Sequence, residues 1–289
     1  MAEAFTPKSD FFIGIDSDGC VFDTMELKQK ECFIPAIIKH WGWQSVSKYA
    51  REVIEFVNLY SKTRGINRFP ALIEDFKWLA RRPEVIARGI KVVPPQEIIE
   101  WMNRETKLGN AALAAEVERT GDPVLKKTLA WSLEVNEVID AIVGEGVAPF
   151  PLVRESLEKA GEKADAMVVS ATPQAALVKE WEKQGLLPYV AMIAGQEIGT
   201  KQDSLRWAAH YPKGRALMIG DAPGDHKAAC ANDVLFFPIN PGEEEKSWEL
   251  FLNEGLDRFF RGEFAGEFQQ QLLTDFDRHL PETPPWKTV

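Results

Sequence analysis

Phe11-Phe12-Ile13-Gly14-Ile15 runs directly into Asp16-Ser17-Asp18-Gly19, and how this stretch is read decides the fold. The five leading residues are apolar and rich in β-favouring types, which predicts a short buried strand. Two carboxylates follow where that strand ends, and Gly19 lets the backbone turn beside them. Concentrated negative charge at a strand tip is costly, so a positive group is expected there. Mg²⁺ suits the position, because it prefers hard oxygen ligands and takes one or two carboxylates together with phosphate. The plain alternative is a surface strand end with two solvated aspartates, and these nine residues alone do not choose between the two.

Further along the chain the same apolar signature returns. Ala166–Val169, Val190–Ile193, Ala216–Ile219 and Val234–Phe237 read as strands, with helical patterns at Pro151–Ala160, Ala175–Gln184, Asp203–His210 and Pro223–Ala231. Short apolar strands alternating with helices predict a parallel α/β sheet, which Phe11–Ile15 should join. Between the first and second strands, Thr24 to Gly144 has helical periodicity only, with Pro94-Pro95 and Asp122-Pro123 as helix starts. Trp41, Trp43, Trp78, Trp101 and Trp131 fall in that stretch and are read as packing between helices. The expected architecture is a doubly wound, Rossmann-like parallel sheet interrupted by an all-helical insertion. The boundaries are 1–23 and 145–243 for the α/β core, 24–144 for the insertion and 244–289 for a C-terminal helical extension. That extension should hold two helices packed on the core or on a second subunit, and its Pro-rich end from Pro281 should be loosely held.

Bulk properties narrow the function classes. The chain has 289 residues and a formal net charge of −10, with no long basic run, which disfavours a nucleic-acid partner. Cys20, Cys32 and Cys230 have neither metal nor disulfide spacing, as in a reducing cytoplasm. Met1 to Asp10 lacks a signal-peptide layout, and no apolar run approaches the roughly 20 residues that span a bilayer. The expectation is a cytoplasmic monomer or homodimer with no membrane partner.

Ligands of open parallel sheets gather outside the carboxyl ends of the strands. The first strand delivers Asp16 and Asp18 there, and the second Ser170-Ala171-Thr172. Gly199-Thr200-Lys201 follows the third, and the fourth delivers Gly220-Asp221 and Asp225. Lys179 and Lys213 are rivals to Lys201, but only Lys201 lies in the loop after the third strand. A carboxylate pair, a hydroxyl, a lysine and a second carboxylate pair on one edge form a set that random polar loops seldom supply.

In these four motifs, taken in order, the chain resembles the haloacid dehalogenase superfamily of aspartyl phosphotransferases and phosphatases. Cys20 stands where Thr or Val is more usual, and Ala171 where Asn is frequent. The helical insertion lies where such proteins carry a helical cap. The resemblance implies Asp16 as nucleophile and Asp18 as general acid and base. It implies Ser170, the Ala171 N–H and Lys201 as holders of phosphoryl oxygens. Mg²⁺ would be bound by Asp16, Asp18 through its carbonyl, and Asp221, with Asp225 nearby; Asp23 stands at its usual downstream place and is read either as bracing the loop or as touching ligand. Phosphoryl transfer needs chiefly positioning and charge neutralisation, which this set can provide. The second Asp argues for a phosphate ester over a carbon–halogen bond.

In the insertion, Lys62, Arg64 and Arg68 mark a basic break between helices, read either as an exposed connection or as contacts to the substrate's leaving group. His40, His210, His226 and His279 have no metal-ligand spacing. The reading is a Mg²⁺-dependent phosphatase acting on a small phosphorylated metabolite through an aspartyl-phosphate. A phosphomutase, a phosphonate-cleaving enzyme and a non-catalytic phospho-ligand binder are the alternatives.

Overall fold

The structure, a computed structural model, describes residues 6–144 and 146–286. The expectations for the first five residues, for boundary residue 145 and for the last three residues lie outside this range. The chain divides into two compact units. One comprises residues up to Met25 together with Gly146–Leu280, and the other comprises Glu26 onward through the insertion together with the segment from Pro281.

The first unit is built on five strands, β1 (Phe11–Ile15), β2 (Ala164–Val169), β3 (Met192–Ala194), β4 (Ala216–Gly220) and β5 (Leu235–Pro238). All pair in parallel in the order β3-β2-β1-β4-β5. From β1 the chain winds outward through β2 to β3, then returns to place β4 and β5 on the other side of β1. The order therefore reverses between β1 and β4, the place where ligands of open parallel sheets gather. Residues alternate between the two faces of the sheet, as the pleat requires. Ile13, Ile15, Ala166, Val168, Leu217 and Ile219 join one buried cluster, which also takes in Trp181, Trp248 and Phe251. Phe12, Met167, Val169, Met218 and Phe236 join the other, with Leu205, Phe276 and Leu280. Gly14 lies in β1 because a Cβ there would come within 2.8 Å of Leu205 Cδ2. The fold class is thus the doubly wound α/β sheet.

Several elements differ in extent from the sequence reading. β3 starts two residues late, because Leu187–Tyr189 first makes a 3₁₀ turn through Pro188. The helix expected from Asp203 begins at Lys201, where Thr200 caps it by accepting from Asp203 N, and it tightens to 3₁₀ over Leu205–His210. Residues 244–289, set apart as one extension, divide between the units. Glu244–Leu250 and Glu267–His279 are helices of the α/β unit. The end expected to be loose is anchored at Trp286, whose ring meets Phe56 edge-on at 5.5 Å and lies under the Arg82 guanidinium at 4.5 Å.

The second unit is helical throughout its described secondary structure, with Ser47–Leu59, Arg68–Ala80, Gln96–Arg104, Asn110–Thr120 and Pro123–Val143 as its longer helices. Asp122 starts the last of these by accepting from the amides of Val124 and Leu125, with Pro123 in the first turn. The five tryptophans do pack between helices. Trp41 meets Trp131 at 5.5 Å, and Phe69 meets Trp101 at 4.9 Å, both edge-on. The basic break is not an exposed connection at its centre. Ser61 and Arg64 are buried, and Arg64 Nη1 donates to Leu59 O at 2.9 Å. Among the described residues, no helix is long and apolar enough to cross a membrane.

Candidate active site

β1 and β4 are neighbours with Ile15 paired to Ile219, so Asp16 and Asp221 leave the sheet side by side. Asp16 N donates to Ile219 O at 3.0 Å, which carries the pairing one residue past the strand. Asp225 approaches from the helix Pro223–Ala231, whose first turn it caps by accepting from Ala222 N at 3.1 Å. This contact explains the glycine before Asp221. A Cβ on Gly220 would lie within 2.5 Å of Asp225 Cγ. Asp225 thus sits in the first turn of the helix, where a carboxylate complements the dipole, and it also faces the cluster.

Lys201 closes the arrangement. Its Nζ donates to Asp16 Oδ2 and to Asp225 Oδ1, both at 2.6 Å. Asp16, Asp221 and Asp225 are 5%, 1% and 0% exposed, and each offers an oxygen within 4.8 Å of the others. Fully ionised, three carboxylates and one ammonium leave two net negative charges in a buried place. Burial pushes the Asp16 carboxyl well up; Lys201 opposes this, and Asp225 and Asp221 add to it. Asp225 is raised too, first by burial. Burial alone would lower the Lys201 ammonium, but the three carboxylates hold it above its ordinary value. Carboxylate oxygens this close can converge on one small dication at about 2.1 Å with little adjustment. The donor set is all hard oxygen and is short of positive charge by the amount a dication carries, so these residues fit Mg²⁺.

Asp18 stands apart from the three. Its carboxylate accepts from Thr24 Oγ1 and from Thr172 Oγ1, the latter at 2.9 Å. Gly19 turns the chain with a positive φ of 76°. Ser170 is buried at the end of β2, where Thr172 N donates to its Oγ at 3.2 Å; Ala171 is exposed. Asp23 is exposed. Lys62, Arg64 and Arg68 belong to the helical unit. Arg68 Nη1 donates to Ser132 O and Asn136 Oδ1, and burial lowers its guanidinium to about 10. Cys20 and Cys32 are buried free thiols, and Cys230 is exposed.

Sequence reasoning missed Thr24 as a partner of Asp18 and gave Thr172 no role. Spacing could have found Thr172, since it follows Ser170 at the same strand end. Thr24 sits six residues from Asp18 across a tight turn, and no periodicity reports that.

No protein-family model matches the chain, and no curated relative is found. Among solved structures it is similar to a haloacid dehalogenase-like family hydrolase from Streptococcus pneumoniae, at 14% identity and a TM-score of 0.45 over 84% of this chain and 90% of that one. It is also similar to a haloacid dehalogenase-like family hydrolase from Xanthomonas campestris, at 13% identity and a TM-score of 0.45 over 89% and 97%. A HAD-superfamily hydrolase from Geobacter sulfurreducens gives 15% identity and a TM-score of 0.38 over 81% and 90%. The chemistry rests on the side chains described above.

Proposed function

We propose that the chain is a haloacid dehalogenase-like phosphatase that hydrolyses a small phosphomonoester through a phosphorylated Asp16. The observation that carries this reading is the Lys201 ammonium bridging Asp16 and Asp225 beside Asp221, at the point where strand order reverses. Asp16 is the nucleophile, attacking phosphorus with Oδ1 or Oδ2 and splitting one hard displacement into two easier ones. Lys201 favours the ionised Asp16 against the opposing effect of burial and neutralises an incoming phosphoryl oxygen. Ser170 Oγ and the Ala171 N–H hold a second oxygen. Asp18 hands a proton to the departing ester oxygen and later takes one from the attacking water. The hydroxyls of Thr24 and Thr172 fix the direction of that carboxyl. Asp16, the Asp18 carbonyl, Asp221 and Asp225 would hold Mg²⁺, which would supply charge neutralisation for the transfer.

The helical insertion leaves the chain just after this loop and is the cap of the reading, with Lys62, Arg64 and Arg68 as its candidate selectors of leaving group. A phosphomutase would share the Asp16 intermediate and return the phosphoryl group to a sugar. Turnover of an aryl phosphate with Mg²⁺ and with EDTA tests the reading. Phosphate release with Mg²⁺ that stops with EDTA is expected. Metal-independent release would overturn the assigned site. A phosphorylated enzyme that releases no phosphate without a sugar acceptor would favour the mutase.

A further inference from the structure

The loop Asp16–Cys20 carries both proposed chemical groups, and it is held from outside by two tryptophans. Trp181, on the helix Gln174–Lys183, donates its indole N–H to Ser17 Oγ at 3.0 Å. Trp248, on the helix Glu244–Leu250, donates its indole N–H to Cys20 O at 2.8 Å. Both rings are fully buried. Their partners lie 164 and 228 residues away in the chain, so neither bond follows from local structure.

These bonds are not the general habit of tryptophan in this protein. The indole N–H groups of Trp41, Trp131 and Trp286 are buried without a hydrogen-bond partner, and those rings serve packing. An indole is a donor only, so each clamp fixes one oxygen of the loop in one direction. The loop's backbone after Asp16 is otherwise tied mostly to itself. Ser17 O accepts from Val21 N at 2.9 Å and Phe22 N at 3.2 Å, and Gly19 N donates to Phe22 O at 2.8 Å. Internal bonds keep a turn's shape but do not aim it. Aim comes from Asp16 N on Ile219 O at one end, from the side-chain contacts of Asp16 with Lys201 and of Asp18 with Thr172, and from the two indoles, which hold the flanking Ser17 and Cys20. Asp18 lies between the two clamped residues.

We propose that Trp181 and Trp248 are positioning residues that fix the orientation of the nucleophile loop, and that anchoring this loop is a role of the C-terminal helix Glu244–Leu250. The inference rests on the proposed function only for what the loop does, not for its being clamped. A misplacement of about 1 Å at a reacting group can cost about a hundredfold in rate.

The test compares Trp248→Phe, which keeps an aromatic ring and loses the donor, with Phe259→Leu, a buried change in the same packed cluster at a ring that meets Phe11, Phe260 and Phe264 and has no donor to lose. For Trp248→Phe we expect kcat on an aryl phosphate to fall about tenfold, with KM changed less than about twofold. Amide exchange of Gly19 to Phe22 should quicken about tenfold, with Mg²⁺ present or absent. Phe259→Leu should lower the melting temperature but leave both readouts at wild type. Benzothienylalanine at position 248 deletes the N–H within an almost unchanged ring, and decides the matter should the Phe variant not fold. Unchanged kcat, unchanged exchange, or effects equalled by Phe259→Leu would overturn the proposal. A wild type inactive on every ester would defeat the proposed function, while the exchange comparison would still decide whether the clamp exists.

Discussion

Each unit of the protein buries acids, and the two units treat them in opposite ways. At the strand ends, Asp16, Asp221 and Asp225 are gathered around Lys201. In the helical unit, Asp75 is 1% exposed on the inner face of Arg68–Ala80, between Leu72 and Leu79, and neither carboxylate oxygen has a hydrogen-bond partner. Burial raises the Asp75 carboxyl well above its ordinary 3.8; the Asn58 amide offsets this only in part, its Nδ2 donating to Ile54 O. A lone buried acid escapes its charge by keeping a proton. Three acids share one lysine as counter-charge, and although burial raises Asp16 and Asp225 too, their convergent oxygens can take up a cation that a lone acid cannot hold. Burial by itself therefore does not mark a site, and a convergent set with a counter-charge does.

The comparison breaks most visibly at Asp16. Asp16→Asn is expected to cut phosphate release by about 10⁴-fold or more, since the nucleophile is lost outright. Its far-ultraviolet circular dichroism should match wild type, and retained activity would send the search to another nucleophile. Gly220→Ala comes next. The new methyl group would meet the Asp225 carboxylate, move it off Lys201 and lower kcat by about 10- to 100-fold, read by steady-state kinetics. Asp75→Asn tests the other side. It should leave kcat within about twofold and stabilise the protein at pH 7 by about 1 kcal/mol, the size usual for relieving a mismatched buried group.

The sign of the Asp75 effect follows from its raised value. The folded form prefers the protonated acid, so its contribution is fully present below about pH 3.9 and is lost as pH rises toward the folded value. Denaturant unfolding of wild type and Asp75→Asn should therefore differ little at pH 4 and increasingly above it. A constant difference across pH would mean that Asp75 is not the titrating group.

The sheet was legible because strand periodicity and apolar runs are local signals. β1 is found at the residues read for it, and β4 differs by one residue. The residues the structure gathers at the strand ends were legible for the same reason. Asp16, Asp221, Asp225 and Lys201 each follow an apolar run, and parallel topology turns that pattern into proximity. Thr24, Trp181 and Trp248 were not legible. A threonine or tryptophan looks the same in sequence whether it packs or donates, and the tryptophans' partners lie far off in the chain. Asp75 was readable in principle, since helical spacing puts it in line with Leu72 and Leu79. The burial of Arg64 was not legible either, because long cations carry buried stems and carbonyl contacts as readily as exposed charge.

The central claim is that acids from separate strands surround one dication and that Asp16 among them takes the phosphoryl group. Acid-quenching the enzyme during turnover, reducing any acyl phosphate with borohydride and mapping the peptides tests it most directly. The account predicts reduction at residue 16 alone, dependent on Mg²⁺ and absent in Asp16→Asn. Reduction at Asp18, Asp221 or Asp225, or full turnover with no reducible residue, would contradict it.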